Sequence, residues 1–171
     1  MPSLPGLPTA IKSVTLSPMS ESLTITVQRL LATTKTIAVV GLSPKENRPS
    51  SLVARYLLDA GFTVVPVNPG QTTILGLPCY PDLRAIPTPI DLVDIFRRSE
   101  EVGSVVDEAI AIGAKAIWMQ EGIVNEEAAT KARAAGLTVI MDRCLKVEHQ
   151  ALPAGQPLKT EWPGGNVTKF L

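Results

Sequence analysis

Short apolar runs alternate along the middle of the chain with stretches whose apolar residues return every three or four positions. Residues 36–40 (TIAVV), 62–67 (FTVVPV), 92–96 (LVDIF), 116–119 (AIWM) and 137–141 (LTVIM) are the runs. They are apolar at successive positions, not alternate ones, which predicts strands buried on both faces and therefore a parallel sheet covered by helices. Pro66 fits only near the end of its strand, where a missing N–H stays out of the ladder. The periodic stretches predict helices. Residues 50–60 place Val53, Tyr56, Leu57 and Ala60 on one stripe before Gly61. Residues 100–112 place Val102, Val105, Val106, Ala109 and Ile110 on another, with Ser99 as the expected N-cap. Asn125 caps a third helix, acidic at its start and stopped by Gly136. Two more are predicted over 21–31 and 144–149. Strand-helix alternation with short links builds right-handed crossovers. The expected fold is α/β, a Rossmann-like doubly wound parallel sheet of about five strands in the order 3-2-1-4-5. Its ligands would bind at the carboxyl ends of the strands, at a switch point beside the first one.

The ends break this pattern. Residues 1–20 are rich in Pro, Ser and Thr, and read as a disordered or extended tail, with Met19 as an alternative start. Residues 21–150 form the expected domain. Residues 151–171 read as irregular chain in which Trp162 and Phe170 could bury rings, and Asn166 begins a chance glycosylation pattern.

Composition narrows the function. Lys plus Arg and Asp plus Glu are 16 each, so the net charge is zero. That argues against nucleic acid or an acidic membrane as partner. No apolar run approaches the roughly 20 residues that span a bilayer. Cys79 and Cys144 are far apart and His149 is the sole histidine, too few soft ligands for a structural zinc. Two isolated cysteines in a chain with a full apolar core read as reduced thiols in a cytoplasmic protein.

The candidate chemistry lies just after the strands. The first turn, GLSPKENRPS, contains Gly41, Ser43, Pro44, Lys45 and Arg48 before a helix start, where open N–H groups suit a phosphate. It is neither GxGxxG nor a P-loop, so a plain turn is an equal alternative. After the second strand, Asn68 and Pro69 stand where a dinucleotide enzyme usually carries an acid for the ribose. An amide there admits a phosphorylated ribose, although a proline-stiffened turn is the simpler reading. After the third, Phe96, Arg97 and Arg98 offer a ring face and two cations, with core packing for Phe96 and pairing to Glu100 or Glu101 as the alternatives. After the fourth, Gln120 would point toward the crevice and Gly122 would let backbone approach a ligand, while Trp118 reads as core. After the fifth, Asp142 and Arg143 are expected to pair, and Cys144 to pack. With Lys45, Arg48, Arg97, Arg98 and Arg143 at one rim, a balanced total conceals a small basic crevice.

The stretches IAVVGLSPKENRPSSLVARYLLDAGFTVVPVNPG, DLVDIFRRSEEV, AIWMQEGIVNEEA and AGLTVIMDRCLKVEH, in this order and spacing, resemble the stand-alone CoA-binding domain proteins over residues 35–149. That family is similar in fold to the CoA-binding domain of the succinyl-CoA synthetase α-subunit. The resemblance implies CoA or an acyl-CoA as the cofactor. It implies the nucleotide and diphosphate near Gly41, Ser43, Pro44, Lys45 and Arg48, and the adenosine by Asn68 and Pro69. Phe96, Arg97 and Arg98 would then line one wall, opposite Gln120 and Gly122. The synthetase's ATP-binding domain and the domain carrying its phosphorylated histidine have no counterpart here, and no catalytic residue is assigned. The leading expectation is a binding module for a small CoA species, its protein partner unknown. The alternative is an NAD(P)-dependent or acyl-CoA-processing enzyme or subunit, in which Cys144 or His149 would supply the nucleophile or base.

Overall fold

All five apolar runs become strands of one parallel sheet. The structure, a computed structural model of the chain, describes residues 22–153. The readings made for the N-terminal tail, for Met19, and for Trp162, Phe170 and Asn166 lie outside these residues. In chain order the elements are α1 (Leu23–Thr33), β1 (Thr36–Val40), α2 (Pro49–Asp59), β2 (Thr63–Val67), β3 (Thr73–Ile74) and β4 (Leu77–Pro78). They continue with β5 (Leu92–Ile95), α3 (Val102–Ala111), β6 (Ala116–Met119), α4 (Glu126–Ala134), β7 (Thr138–Ile140) and α5 (Leu145–Gln150). The large sheet has the order β2-β1-β5-β6-β7, and β3 with β4 forms a small antiparallel hairpin that the periodicity did not announce.

The order corrects the expected one. Counted within the large sheet it is 2-1-3-4-5, so the third strand pairs with β1 and does not lie beyond β2. Right-handedness explains this. The β1–α2–β2 crossover passes over one face, where Val53, Ala54 and Leu57 pack with Leu31, Val39 and Trp118. The long link from β2 to β5 passes over the other, where Leu83 and Ile90 pack with Val102, Val106 and Ala132. A right-handed crossover on the opposite face must advance in the opposite direction, which carries β5 back past β1. The switch point is still beside the first strand, now between β1 and β5.

Alternate strand residues feed the two cores. Ile37, Val39, Leu92 and Trp118 face α1, α2 and α5, while Ala38, Val40, Val93 and Ile117 face α3 and α4. Residues such as Leu31, Leu57 and Leu92 have no exposed surface, and each such burial contributes about 2 kcal/mol before conformational entropy is counted. Pro66 is accommodated because β2 is the edge strand. Its carbonyl accepts from the N–H of Tyr80 at 3.0 Å, so its missing donor also faces away from β1.

Two caps separate prediction from structure. Asn125 is the N-cap of α4, its side chain accepting from the N–H of Ala128 at 2.9 Å. Ser99 does not cap α3. A short 3₁₀ turn over Ser99–Glu101 precedes that helix, and the Ser99 hydroxyl accepts from the N–H of Val124 at 3.1 Å. The hydroxyl is drawn to a donor 25 residues away, which no local pattern reveals. At the other end, α1 is capped by Ser22.

Candidate functional site

At the switch point β1 and β5 end almost in contact. Gly41 has φ +83°, and a Cβ there would stand 2.2 Å from the carbonyl oxygen of Phe96. A side chain is therefore excluded twice, by the left-handed backbone and by the neighbouring strand end. Beyond Gly41 the loop folds on its own hydroxyls. The N–H of Ser43 donates to Ser50 Oγ at 3.0 Å, and Ser43 Oγ accepts from the N–H of Lys45 at 3.1 Å. Helix α2 then starts with Pro49, which has no N–H to leave unpaired. Its N-cap residue Arg48 gives no side-chain cap bond and no acid stands in the first turn, so this helix start keeps its positive end open.

A groove of about 540 Å³ opens over this corner. Gly41, Ser43, Lys45 and Arg48 line it from the loop after β1, and Phe96, Arg97 and Arg98 from the loop after β5. Pro49, Ser50 and Ile123 complete it. These last three were missed from the sequence. A proline just before a helix marks an N1 position, and that signal could have found Pro49 and Ser50. The side chains of Lys45, Arg48 and Arg98 are exposed at the rim and Arg97 is half-buried. Among the described residues none of these four cations has an ion-pair partner, whereas Arg55 pairs with Glu46 at 2.7 Å, Arg143 with Glu148 at 3.0 Å, Lys115 with Asp91 at 3.3 Å, and Lys131 with Asp107. Like charges gathered at an open helix start repel one another, and an anion relieves that repulsion.

A second cavity of about 340 Å³ adjoins it, between the ends of β1 and β2 and the start of α3. Val40, Val67, Pro69 and Val105 provide apolar surface, and Asp82, Glu101 and Glu108 bring carboxylates. Arg97 lines both cavities and stands between them.

The remaining candidates are placed elsewhere. Pro44 is exposed and does not line the groove. Asn68 ties the strand ends together, its Nδ2 donating to the Leu42 carbonyl at 3.0 Å and its Oδ1 accepting from the N–H of Gly70 at 2.8 Å. Gln120 is buried, its Nε2 donating to Asp94 Oδ1 at 2.5 Å. Its side chain is turned inward, not into the crevice. Gly122 has φ +82° with open space where a Cβ would be, and its N–H donates to Asp142 Oδ1 at 2.7 Å. Asp142 thus serves the Gly122 turn and Arg143 joins Glu148, so the expected pairing of these two neighbours does not form. Trp118 is core, its Nε1 donating to the Arg143 carbonyl at 2.8 Å.

The nucleophile and base candidates are also engaged away from the groove. Both cysteines are free thiols. Cys79 is buried, and burial pushes its thiol above the usual range. His149 Nδ1 shares a hydrogen bond of 2.6 Å with the Tyr56 hydroxyl, and its ring stands edge-on to Phe62. No helix among the described residues is long and apolar enough to cross a membrane.

Known proteins carry the same architecture. A solved structure of a hypothetical protein from Pyrococcus horikoshii OT3 superposes with a TM-score of 0.74 at 39% identity, covering 78% of this chain and 94% of that one. The protein YneT of Bacillus subtilis (strain 168) is 43% identical over 123 residues, which is 72% of this chain and 91% of YneT. The ADP-forming acetate–CoA ligase I of Archaeoglobus fulgidus is 30% identical over 121 residues, 65% of this chain but 18% of the ligase. The similarity to the ligase is therefore to one segment of a much longer enzyme. The family model described as a CoA binding domain matches residues 35–150, the whole of the sheet with α2 to α5. The chain belongs to the CoA-binding domain family.

Proposed function

We propose that the protein binds CoA or an acyl-CoA in the groove at the switch point and holds it without chemistry of its own. The observation that carries this reading is the convergence of Lys45, Arg48, Arg97 and Arg98, none of them ion-paired among the described residues, on the uncapped start of α2. A diphosphate fits that corner, receiving N–H donors from the helix and charge from the arginines. The adenosine would extend past Arg97 into the second cavity, beside Pro69. The pantetheine arm would leave over Phe96 and Ile123, the apolar part of the groove lining. Membership of the family and the similarity to an acetate–CoA ligase support CoA as the ligand over another diphosphate. The 3′-phosphate would stay at Arg97, since Asp82, Glu101 and Glu108 of the second cavity would repel it. Two free cysteines fit a reducing cytoplasm.

Isothermal titration of the purified chain with CoA tests this. The expected result is saturable binding near one equivalent, weakened by added salt and by Arg48→Ala or Arg97→Ala. Binding of NADH in place of CoA would overturn it. The enzyme alternative has less support, because neither Cys79, Cys144 nor His149 lines the groove.

A further inference from the structure

Away from the groove a carboxylic acid lies in the middle of the sheet. Asp94 sits on β5 with Val39 of β1 and Trp118 of β6 beside it in register, and it has no exposed surface. Its Oδ1 accepts from Gln120 Nε2, and its Oδ2 has no partner among the described residues. The same glutamine reaches two further elements. Its Oε1 accepts from the N–H of Leu145 at 3.4 Å, the first residue of α5. Its carbonyl accepts from the N–H of Ile123 at 2.9 Å, and Ile123 lines the groove.

The charged and titratable groups of the surrounding elements are occupied with one another. Arg143 and Glu148 pair beside α5, and Arg55 of α2 pairs with Glu46. Tyr56 of α2 is bound to His149 of α5, with Lys146 5.8 Å from the Tyr56 ring centre. Asp91, at the entrance to β5, is held by Lys115. None supplies Asp94 with a counter-charge. Burial pushes its carboxyl up to about 7, against the pull of the Gln120 hydrogen bond and of the Ile95 backbone N–H.

We propose that Asp94, Gln120 and α5 form a proton-operated latch: α5 closes over the neutral acid, and loss of its proton to solvent draws in water that lifts α5 from Gln120, while Gln120 stays bonded to the carboxylate. A buried carboxylate without a counter-ion needs water. The element most easily lifted to admit it is α5, a helix of six residues whose bond to Gln120 is long at 3.4 Å. Opening then releases a proton, so the opening equilibrium rises with pH until the acid is already ionised in the closed form, and levels beyond.

Hydrogen exchange of the full chain between pH 5 and 9, corrected for intrinsic exchange, tests the latch. Protection over residues 145–150 is expected to fall roughly fifty-fold between pH 5 and 7 and to change little above. In Asp94→Asn it is expected to stay flat. A ¹³C titration of the Asp94 carboxyl carbon should show its midpoint near the value of about 7. The proposal is overturned by pH-independent protection in the wild type, by an Asp94 midpoint in the ordinary carboxylate range, or by an unchanged profile in Asp94→Asn, which would assign the effect to another group. Should Asp94→Asn not fold, the exchange profile and the carbon titration of the wild type decide. The latch does not depend on CoA binding, and a protein that ignores CoA can still show it.

Discussion

Two turns at the same edge of the sheet start alike and finish differently. After β1, Gly41 leads into a loop and an uncapped helix, and the cations gathered there have no ion-pair partner among the described residues. After β6, Gly122 also has positive φ, yet the donors around it are used. Its own N–H goes to Asp142, that of Ile123 to the Gln120 carbonyl, that of Val124 to Ser99, and Asn125 both caps α4 and donates to the Ser99 carbonyl at 2.8 Å. Topology makes both turns candidate sites, since ligands of open α/β sheets bind at strand ends. Both loops satisfy backbone donors of their own, and what separates them is that α2 starts without a side-chain cap beside those unpaired cations while α4 is capped by Asn125. A closed turn has little left to offer a ligand, and an open one keeps its affinity for an anion.

The contrast can be broken by substitution, and the largest effect falls on the tighter turn. Gly41→Ala combines a strained backbone with a collision at the Phe96 carbonyl, and is expected to lose about 3 kcal/mol or more of stability in denaturant unfolding. If it unfolds like the wild type, the close approach of β1 and β5 is wrong. The double variant Arg48→Ala with Arg97→Ala is expected to lower CoA affinity by roughly a hundredfold while leaving the unfolding midpoint unchanged. Equal affinity in calorimetry would remove these arginines from the site. Asn125→Ala should do the reverse. It gives up the cap and the bond to Ser99, about 2 kcal/mol together, and CoA affinity should hold if the turn after β6 is structural. Gly122→Ala meets only the backbone strain, with nothing near its Cβ, and should cost about 1 kcal/mol. A loss as large as that of Gly41→Ala would mean that this turn is as crowded as the first.

The stability of the whole chain should also depend on pH through Asp94. Its folded pKa of about 7 lies above the unfolded value of 3.8. The folded state therefore binds the extra proton between those values, and stability falls as pH rises from 3.8 to about 7, then levels. Asp94→Asn should flatten that slope in thermal unfolding across the same range.

Much of this was readable along the chain. Runs with apolar residues at successive positions marked five buried strands, and stops such as Gly61 and Gly136 marked where helices end. The four cations that line the groove were identified because each follows a strand. Asn68, Gln120 and Gly122 were singled out by the same rule, and the structure shows their polar groups spent inside the protein. A rule that places residues after strands reports where a side chain starts and is silent on what it meets. Ser99 shows the same limit. Its position before a helix suggested a cap, and a donor on the next loop claims the hydroxyl.

Sequence alone determined the five long strands, the main helices and the parallel sheet, because periodicity is a property of the chain itself, and its motifs in their order carried the resemblance to the family; the β3–β4 hairpin escaped it. Only the tertiary structure decided the strand order, since the face taken by the β2–β5 link sets the direction in which a right-handed crossover advances. It also decided which polar groups remain open. Hydrogen bonds such as Asn68 to Leu42 and Gln120 to Asp94 join residues 26 apart, and partners that distant are chosen by packing, not by local pattern.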